Sequence, residues 1–236
     1  MTDLLIIQAG AAPSDLQYDF GDIASWFLRT LDKTGKQLEV IRVFEGQVLP
    51  PPSSQRVAII TGSWSMVTDR LPWSERLAEW IREAMVIEMP LFGVCYGHQL
   101  MAHALGGRVD YHPDGLELGC KKVRLLDSAV EDPLLQGLPC EFVANLTHRQ
   151  TILKLPEGAI TLAANDHDRH QIVRYGRRAI STQFHPEFTP ALMEACIKRQ
   201  AQALTELGAD IGHLLGGICH APEAEQLLVR FVETVS

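Results

Sequence analysis

One cysteine stands in a sequence context that would make it a nucleophile. Cys95 follows the apolar run at residues 91–94, and Gly93 and Gly97 flank it at minus two and plus two. This is the glycine–x–nucleophile–x–glycine spacing of a sharp strand-to-helix turn, with cysteine in place of serine. Glycine is needed at both flanking positions because the turn brings their backbone very close to its surroundings.

The same turn would activate the thiol. At the N-terminus of the following helix, Cys95 would lie beside free backbone N–H groups, which together with the helix dipole favour a thiolate. The backbone N–H of Tyr96 would point to the place where an oxyanion forms during attack on a carbonyl. A buried cysteine packed between a strand and a helix explains this short motif equally well, so the nucleophile hypothesis requires a base.

The best candidate base among the nine histidines is His185. A strand-like run ends at Phe184, and Pro186 stops the strand and fixes the backbone after the histidine. Because parallel strands end at the same edge of a sheet, we expect His185 on the same rim as Cys95. Across Pro186, the Glu187 carboxylate can turn back to the imidazole, fix its tautomer and stabilise the imidazolium. A surface loop with a chance His-x-Glu sequence is the alternative.

The sequence predicts no metal site and no cofactor. His98 and His103 are five residues apart on the helix after Cys95, whereas a metal-binding pair on one helix face prefers about four. We interpret His98 as support for the turn and His103 as a packing or surface residue. No GxxxxGK[ST] loop for ATP is present.

The elements that position these residues are short apolar runs that alternate with longer amphipathic segments. Strands are predicted at residues 4–7, 38–43, 57–60, 91–94, 121–126, 160–163, 171–175 and 179–183. Helices are predicted at residues 22–31, 74–86, 100–105, 190–207 and 222–235. The alternation predicts a parallel sheet with right-handed crossovers, to which the strand-rich second half adds antiparallel strands. The predicted fold is a single α/β domain with a central mixed, mostly parallel sheet flanked by helices, similar to flavodoxin.

The composition excludes several classes of function. With 236 residues and 46% hydrophobic content, the chain can bury a sizeable core. A net charge of −8 argues against nucleic acid and anionic membranes as partners, and no apolar run approaches the ~20 residues of a membrane span. The five cysteines are odd in number and include no CxxC pair, which predicts neither a disulfide framework nor structural zinc. We therefore predict a cytoplasmic protein.

Two segments carry a family resemblance. Residues 93–99 (GVCYGHQ) and 183–187 (QFHPE) resemble the signature segments of the class I, or triad, glutamine amidotransferases, especially the stand-alone members similar to GMP synthase. Residues 60–64 resemble the glycine loop of that family, and residues 106–109 and 115–119 resemble the segment after its nucleophile helix. Residues 146–150 (LTHRQ) stand where the family often has Ser-His-Gly-Asp, from which Arg149 and Gln150 depart.

The resemblance covers residues 4–194 of one domain predicted over residues 1–236, and it leaves residues 195–236 as a helical extension without a motif. It implies that Cys95 attacks the side-chain carbonyl of glutamine to form a thioester. It also implies that His185 transfers the protons and that Glu187 orients His185. The implied oxyanion-hole and substrate-binding residues are Gly62, Ser63, Tyr96, Gln99, Thr147 and His148.

The sequence leaves the fate of the ammonia open. An acceptor would be supplied by a separate synthase subunit, because the predicted domain includes no synthase region. A γ-glutamyl peptidase or hydrolase acting on small γ-glutamyl amides would use the same three residues. The third alternative is a degenerate, non-catalytic partner subunit.

Overall fold

The computed structural model describes residues 4–234 and contains one large sheet with helices on both faces. The strands are β1 (Leu4–Gln8), β2 (Leu38–Arg42), β3 (Val57–Ile60), β4 (Leu91–Val94), β5 (Arg108–Tyr111), β6 (Glu117–Leu125), β7 (Glu141–His148), β8 (Gln150–Lys154), β9 (Ile160–Ala164), β10 (Ile172–Gly176) and β11 (Ala179–Thr182). The α-helices are α1 (Ser14–Phe20), α2 (Ile23–Leu31), α3 (Pro72–Val86), α4 (Tyr96–Ala104), α5 (Pro190–Glu206), α6 (Ile211–Gly216) and α7 (Pro222–Thr234). None of the helices within residues 4–234 is long and apolar enough to cross a membrane.

The strand order of the large sheet is β2-β1-β3-β4-β11-β10-β9-β6-β7. The first five strands in this order, from β2 to β11, are parallel to one another. From β11 onward, each strand is antiparallel to the next. β5 and β8 form a separate antiparallel pair. The predicted α/β fold with a mixed, mostly parallel sheet is confirmed.

The inner parallel strands β1, β3 and β4 are buried on both faces, and this explains their apolar runs. In β1, Leu4 and Ile6 belong to a core that includes the buried residues of α2 and α7, whereas Leu5 and Ile7 belong to a second core under α3 and α4. All four of these side chains are at most 1% exposed. A strand with two buried faces needs no polar alternation, so continuous apolar sequence identified these strands correctly.

One strand that the sequence did not predict, β7, has polar residues in buried positions. β7 carries Asn145 and His148 among its apolar residues, and both are buried because they form hydrogen bonds to other segments. The helix predicted at residues 100–105 begins at Tyr96, directly after the nucleophile candidate. The short elements β5, β8, α1 and α6 are also additional to the prediction, and the predicted helix end at residue 235 lies outside the described residues.

A disulfide corrects the interpretation of the cysteines. Cys120 in β6 is bonded to Cys219, which follows α6, and the two are separated by 99 residues in sequence. Leu214 of α6 packs over Gly119, and this contact brings the distant cysteines together. Spacing along the chain could not reveal such a pair because it depends on tertiary packing. The odd count, which leaves Cys95, Cys140 and Cys196 free, therefore gives no support to the predicted reducing cytoplasm.

The disulfide should contribute measurably to stability. Cys219→Ser is expected to lower the free energy of unfolding by about 2 kcal/mol, because the unfolded chain loses a cross-link that closes a long loop. Denaturant unfolding without reductant measures this change, and Cys140→Ser, which alters an exposed free cysteine, is the matched control. Equal stability of the Cys219→Ser variant and the unmodified protein would show that the disulfide is absent or does not stabilise the fold.

Candidate active site

Cys95 lies on a strained turn between β4 and α4. Its backbone has φ of 50° and ψ of −97°, a left-handed conformation that a side chain disfavours. A Cβ on Gly93 would lie 2.7 Å from the backbone of Gly97, and a Cβ on Gly97 would lie 2.3 Å from the Ile60 carbonyl oxygen. Both glycines are therefore required by close backbone packing around the turn.

Strand pairing brings His185 to the same rim. β11 is parallel to β4, with Thr182 opposite Val94, so the chain leaves β11 beside the Cys95 turn. The Cys95 N–H donates to the Thr182 carbonyl at 2.8 Å, which holds the two strand ends together. The His185 N–H donates to the Asn145 carbonyl of β7 at 2.8 Å. These two hydrogen bonds fix the backbone of Cys95 and the backbone of His185.

The imidazole of His185 is oriented by two contacts. Its Nδ1 donates to Glu187 Oε1 at 2.8 Å, and both side chains are buried. The Phe188 ring stacks on the imidazole with a centroid separation of 4.1 Å. With Nδ1 bonded to the carboxylate, Nε2 is the nitrogen left to face Cys95.

Charge keeps this imidazole protonated. Burial lowers the pKa of His185, but the charges of Glu187 and Cys95, together with their hydrogen bonds to the ring, outweigh it and raise the pKa to about 10. Proton transfer to a leaving group would then start from His185.

The raised pKa of His185 predicts a pH dependence of stability. A group whose folded pKa exceeds its unfolded value of 6.5 stabilises the fold fully below about pH 6.5, and this contribution is lost as pH rises toward about 10. Glu187→Gln removes one cause of the raised pKa, so we expect a smaller loss of unfolding free energy across this window. Denaturant unfolding across this pH range tests it, with the exposed Glu79→Gln as control. An unchanged profile in Glu187→Gln would contradict the ion pair.

The predicted oxyanion-hole residues surround the sulfur. A Cβ on Gly62 would lie 3.0 Å from His185 Cε1 and 3.7 Å from Cys95 Cβ, so the loop after β3 contacts both side chains. Tyr96 is the first residue of α4, and its N–H has no acceptor within the helix. The Tyr96 hydroxyl is bonded to Ser74 at 2.6 Å, which anchors the start of the helix.

These residues open into a cleft of about 590 Å³, including its mouth. Its walls include seven of the predicted site residues: Ser63, Cys95, Tyr96, Gln99, Thr147, His148 and His185. Within residues 4–234 no group of three or more His, Cys, Asp or Glu side chains is arranged to hold a metal ion.

Gln99 contacts the protein as well as the cleft. Its Nε2 donates to the Gln150 carbonyl at 2.7 Å and to Gln183 Oε1 at 2.9 Å. The carbonyl oxygen of Thr147 lies 3.8 Å from Cys95 Sγ. Gln99 therefore connects the nucleophile helix to the opposite wall, and Thr147 places a backbone acceptor beside the sulfur.

His148 forms a buried pair with Glu117. His148 Nε2 lies 2.8 Å from Glu117 Oε2, and Nδ1 lies 2.9 Å from the Gln150 carbonyl. These two contacts fix the orientation of the buried His148 ring. Burial raises the pKa of Glu117, but the hydrogen bond and charge of His148 outweigh it and lower the pKa.

Seven residues of the cleft lining were absent from the predicted site: Trp64, Ser65, Met66, Leu116, Arg149, Gln150 and Gln200. The Gln150 amide accepts from the Val67 N–H at 3.0 Å and donates to Thr68, so it fixes the chain that follows the oxyanion loop. In the sequence, Arg149 and Gln150 depart from the family motif, and this departure already indicated that the loop differs from that of the family. Gln200 lies on α5, where no motif pointed to the cleft.

Comparisons with known proteins identify relatives of this chain. A family model described as glutamine amidotransferase class-I matches residues 16–201. Gamma-glutamyl peptidase 5 from Arabidopsis thaliana is 24% identical over 184 residues, which cover 76% of this chain and 73% of the peptidase. A glutamine-hydrolyzing GMP synthase from Aeropyrum pernix is 31% identical over 183 residues, which cover 75% of this chain and 33% of the synthase. The crystal structure of a glutamine amidotransferase from Thermotoga maritima shares the fold, with a TM-score of 0.77 at 20% identity, over 99% of this chain and 97% of that one.

Proposed function

Since the chain belongs to the class-I glutamine amidotransferase family, we propose that it hydrolyses the side-chain amide of glutamine with Cys95, His185 and Glu187 as catalytic residues. The observation that carries the proposal is the imidazole of His185, oriented by Glu187, beside a cysteine on a strained turn. A structural cysteine would need neither the left-handed backbone nor a charged partner.

In the first half of the reaction, the Cys95 thiolate attacks the amide carbon and the carbonyl becomes an oxyanion. The N–H of Tyr96 and the N–H groups at Gly62 or Ser63 stabilise that charge, and one such donor contributes roughly 3 kcal/mol. When the oxyanion collapses, the carbon–nitrogen bond breaks and His185 gives its proton to the nitrogen. Ammonia leaves, and the acyl group stays on sulfur as a thioester.

In the second half, water attacks the thioester while His185 takes its proton as a general base. The carbon–sulfur bond then breaks, glutamate leaves, and the Cys95 thiolate and protonated imidazole are restored. Glu187 keeps Nδ1 protonated and the ring in place through both halves.

The proposed catalytic domain extends over residues 1–236. Gln200 reaches the cleft from α5, so the helical extension after residue 194 would complete one wall. If the ammonia is transferred to an acceptor, a separate synthase subunit would provide that acceptor. The chain spans about a third of the length of the related GMP synthase.

A second candidate is the hydrolysis of small γ-glutamyl peptides or amides. The observation that favours it is the similarity to Gamma-glutamyl peptidase 5 along three quarters of the chain. The same thioester would form, and an amine would leave in place of ammonia.

One assay separates these functions. The purified protein is incubated with glutamine and with several γ-glutamyl amides, and ammonia, glutamate and released amine are measured. The proposal expects glutamate and ammonia in equal amounts from glutamine. Robust release of amine with negligible glutaminase activity would favour the peptidase, and no turnover of any compound would indicate the degenerate partner. Cys140→Ala, which changes an exposed cysteine outside the cleft, is the control.

A further inference from the structure

Four consecutive residues, 147–150, form one wall of the cleft. They lie where β7 of the large sheet meets β8 of the two-stranded sheet. The Thr147 carbonyl oxygen lies 3.8 Å from Cys95 Sγ, and the Gln150 carbonyl accepts from Gln99 Nε2 at 2.7 Å. Because these two carbonyl groups contact the nucleophile and the helix that follows it, the position of the wall affects how a substrate lies against the thiol.

The side chain of His148 connects this wall to the neighbouring strand. Its Nε2 lies 2.8 Å from Oε2 of Glu117, and its Nδ1 lies 2.9 Å from the Gln150 carbonyl oxygen. The strand register places Glu117 in β6 directly opposite His148 in β7. The buried imidazole therefore holds the bend after β7 between a carboxylate on one side and the carbonyl group at the start of β8 on the other.

The carboxylate of Glu117 is itself held at both oxygens. Its Oε1 accepts from Asn165 Nδ2 at 2.6 Å, and its Oε2, which contacts the imidazole, also accepts from Gln171 Nε2 at 3.1 Å. The Asn165 amide is fixed in turn, because its Oδ1 accepts from two backbone N–H groups of the same loop. The segment between β9 and β10 thus sets the orientation of the carboxylate, and the carboxylate sets that of the imidazole.

Stability alone gives little reason for this pair. Glu117 is only 4% exposed, and moving a carboxylate from water into the interior costs several kcal/mol, which its contacts must offset. Two apolar side chains at these positions would hold β6 and β7 together equally well. A carboxylate that contacts one ring nitrogen differs from an apolar pair because it gives the ring a single direction.

We propose that Glu117 is a positioning residue, which acts through His148 to hold residues 147–150 where they align the substrate amide with Cys95. The inference rests on the proposed function, because it concerns the placement of the same amide. Within the described part of the chain, the hydrogen-bond partners of Glu117 include neither Cys95 nor His185. Its loss should therefore disturb the placement of a substrate and leave the thiol reactive.

Two labelling rates separate placement from reactivity. A glutamine-mimicking electrophile must occupy the cleft before it reacts with Cys95, whereas iodoacetamide requires only a reactive thiol. Glu117→Gln keeps the size of the side chain but replaces one acceptor oxygen by an NH₂ group. The rate of labelling by the mimic should fall about 10- to 100-fold, in parallel with kcat/KM for glutamine. The rate with iodoacetamide should change by less than about threefold.

The matched control is Asp132→Asn. It makes the same change from carboxylate to amide in another buried ion pair, with Arg174 at 2.8 Å, and Asp132 lies outside the cleft lining. This variant should be less stable than the unmodified protein but should keep both labelling rates and kcat/KM.

The route through His148 is tested by combining substitutions. In a His148→Ala protein, the added Glu117→Gln should lower the labelling rate of the mimic by less than about threefold, because the contact that it weakens is already gone. Denaturant unfolding of each variant confirms that it is folded.

Equal losses with both electrophiles in Glu117→Gln, or an unchanged rate with the mimic, would overturn the inference. A full additional loss in the His148→Ala protein would also overturn it, because Glu117 would then act by another route. Failure of the proposed function is seen separately, as an unmodified protein that the mimic labels at Cys95 but that does not hydrolyse glutamine. The ratio of the two labelling rates then still decides the role of Glu117. An unmodified protein that the mimic does not label would overturn both.

Discussion

Replacing Cys95 by alanine is expected to lower kcat/KM for glutamine hydrolysis by at least about 10⁴-fold while the protein remains folded. The loss is this large because the thioester cannot form without the sulfur. The oxyanion donors alone supply only part of the stabilisation of the transition state. Steady-state release of ammonia measures the loss, and denaturant unfolding confirms the fold. Undiminished hydrolysis by Cys95→Ala would refute the covalent mechanism.

A second substitution at this position separates catalysis from strain. Cys95→Gly is equally without sulfur, but glycine tolerates φ of 50° at little cost. We expect the glycine variant to be more stable than the alanine variant by about 1 kcal/mol, since a strained backbone costs of order 1–3 kcal/mol and the flexible unfolded chain offsets part of the gain. Equal stability of the two variants would show that the turn stores no strain.

Gly97→Ala is expected to lower the free energy of unfolding by about 3 kcal/mol or more and to abolish hydrolysis. A Cβ at this position would lie 2.3 Å from the Ile60 carbonyl oxygen and 2.9 Å from its carbonyl carbon. Both atoms belong to the backbone of β3, so the contact can be relieved only by moving α4 away from the sheet. That movement would displace the Tyr96 N–H, which is one proposed oxyanion donor.

The matched control is Gly216→Ala at the end of α6. A Cβ there meets no atom within 4 Å, so the variant should retain both stability and turnover. Chemical denaturation and the ammonia assay are applied to both variants. Near-normal stability and activity of Gly97→Ala would contradict the close packing around the turn.

The parts of the fold and site that sequence reasoning predicted are those that depend on local pattern. The inner parallel strands β1, β3 and β4 are largely continuous apolar runs because both their faces are buried. The Cys95 turn is visible because its glycines are fixed by neighbouring backbone. His185 was placed on the correct rim because Pro186 ends the strand and the strand pairs in parallel with β4.

The parts that escaped prediction depend on distant segments. β7 contains Asn145 and His148, which are buried through hydrogen bonds to other parts of the chain, so its sequence lacks a continuous apolar run. The Cys120–Cys219 bond requires α6 to pack on β6. The spacing of the cysteines along the chain does not reveal that contact. Arg149 was visible in the sequence, but its place in the cleft wall is evident only from the tertiary structure.

The most direct test of the central claim is labelling with a glutamine-mimicking electrophile, followed by mass spectrometry of the intact protein and of its peptides. The account predicts one adduct, located at Cys95, that forms more slowly when glutamine is present and is lost in Cys95→Ala. Labelling confined to Cys140 or Cys196, or no adduct at all, would contradict the assignment of Cys95 as the nucleophile.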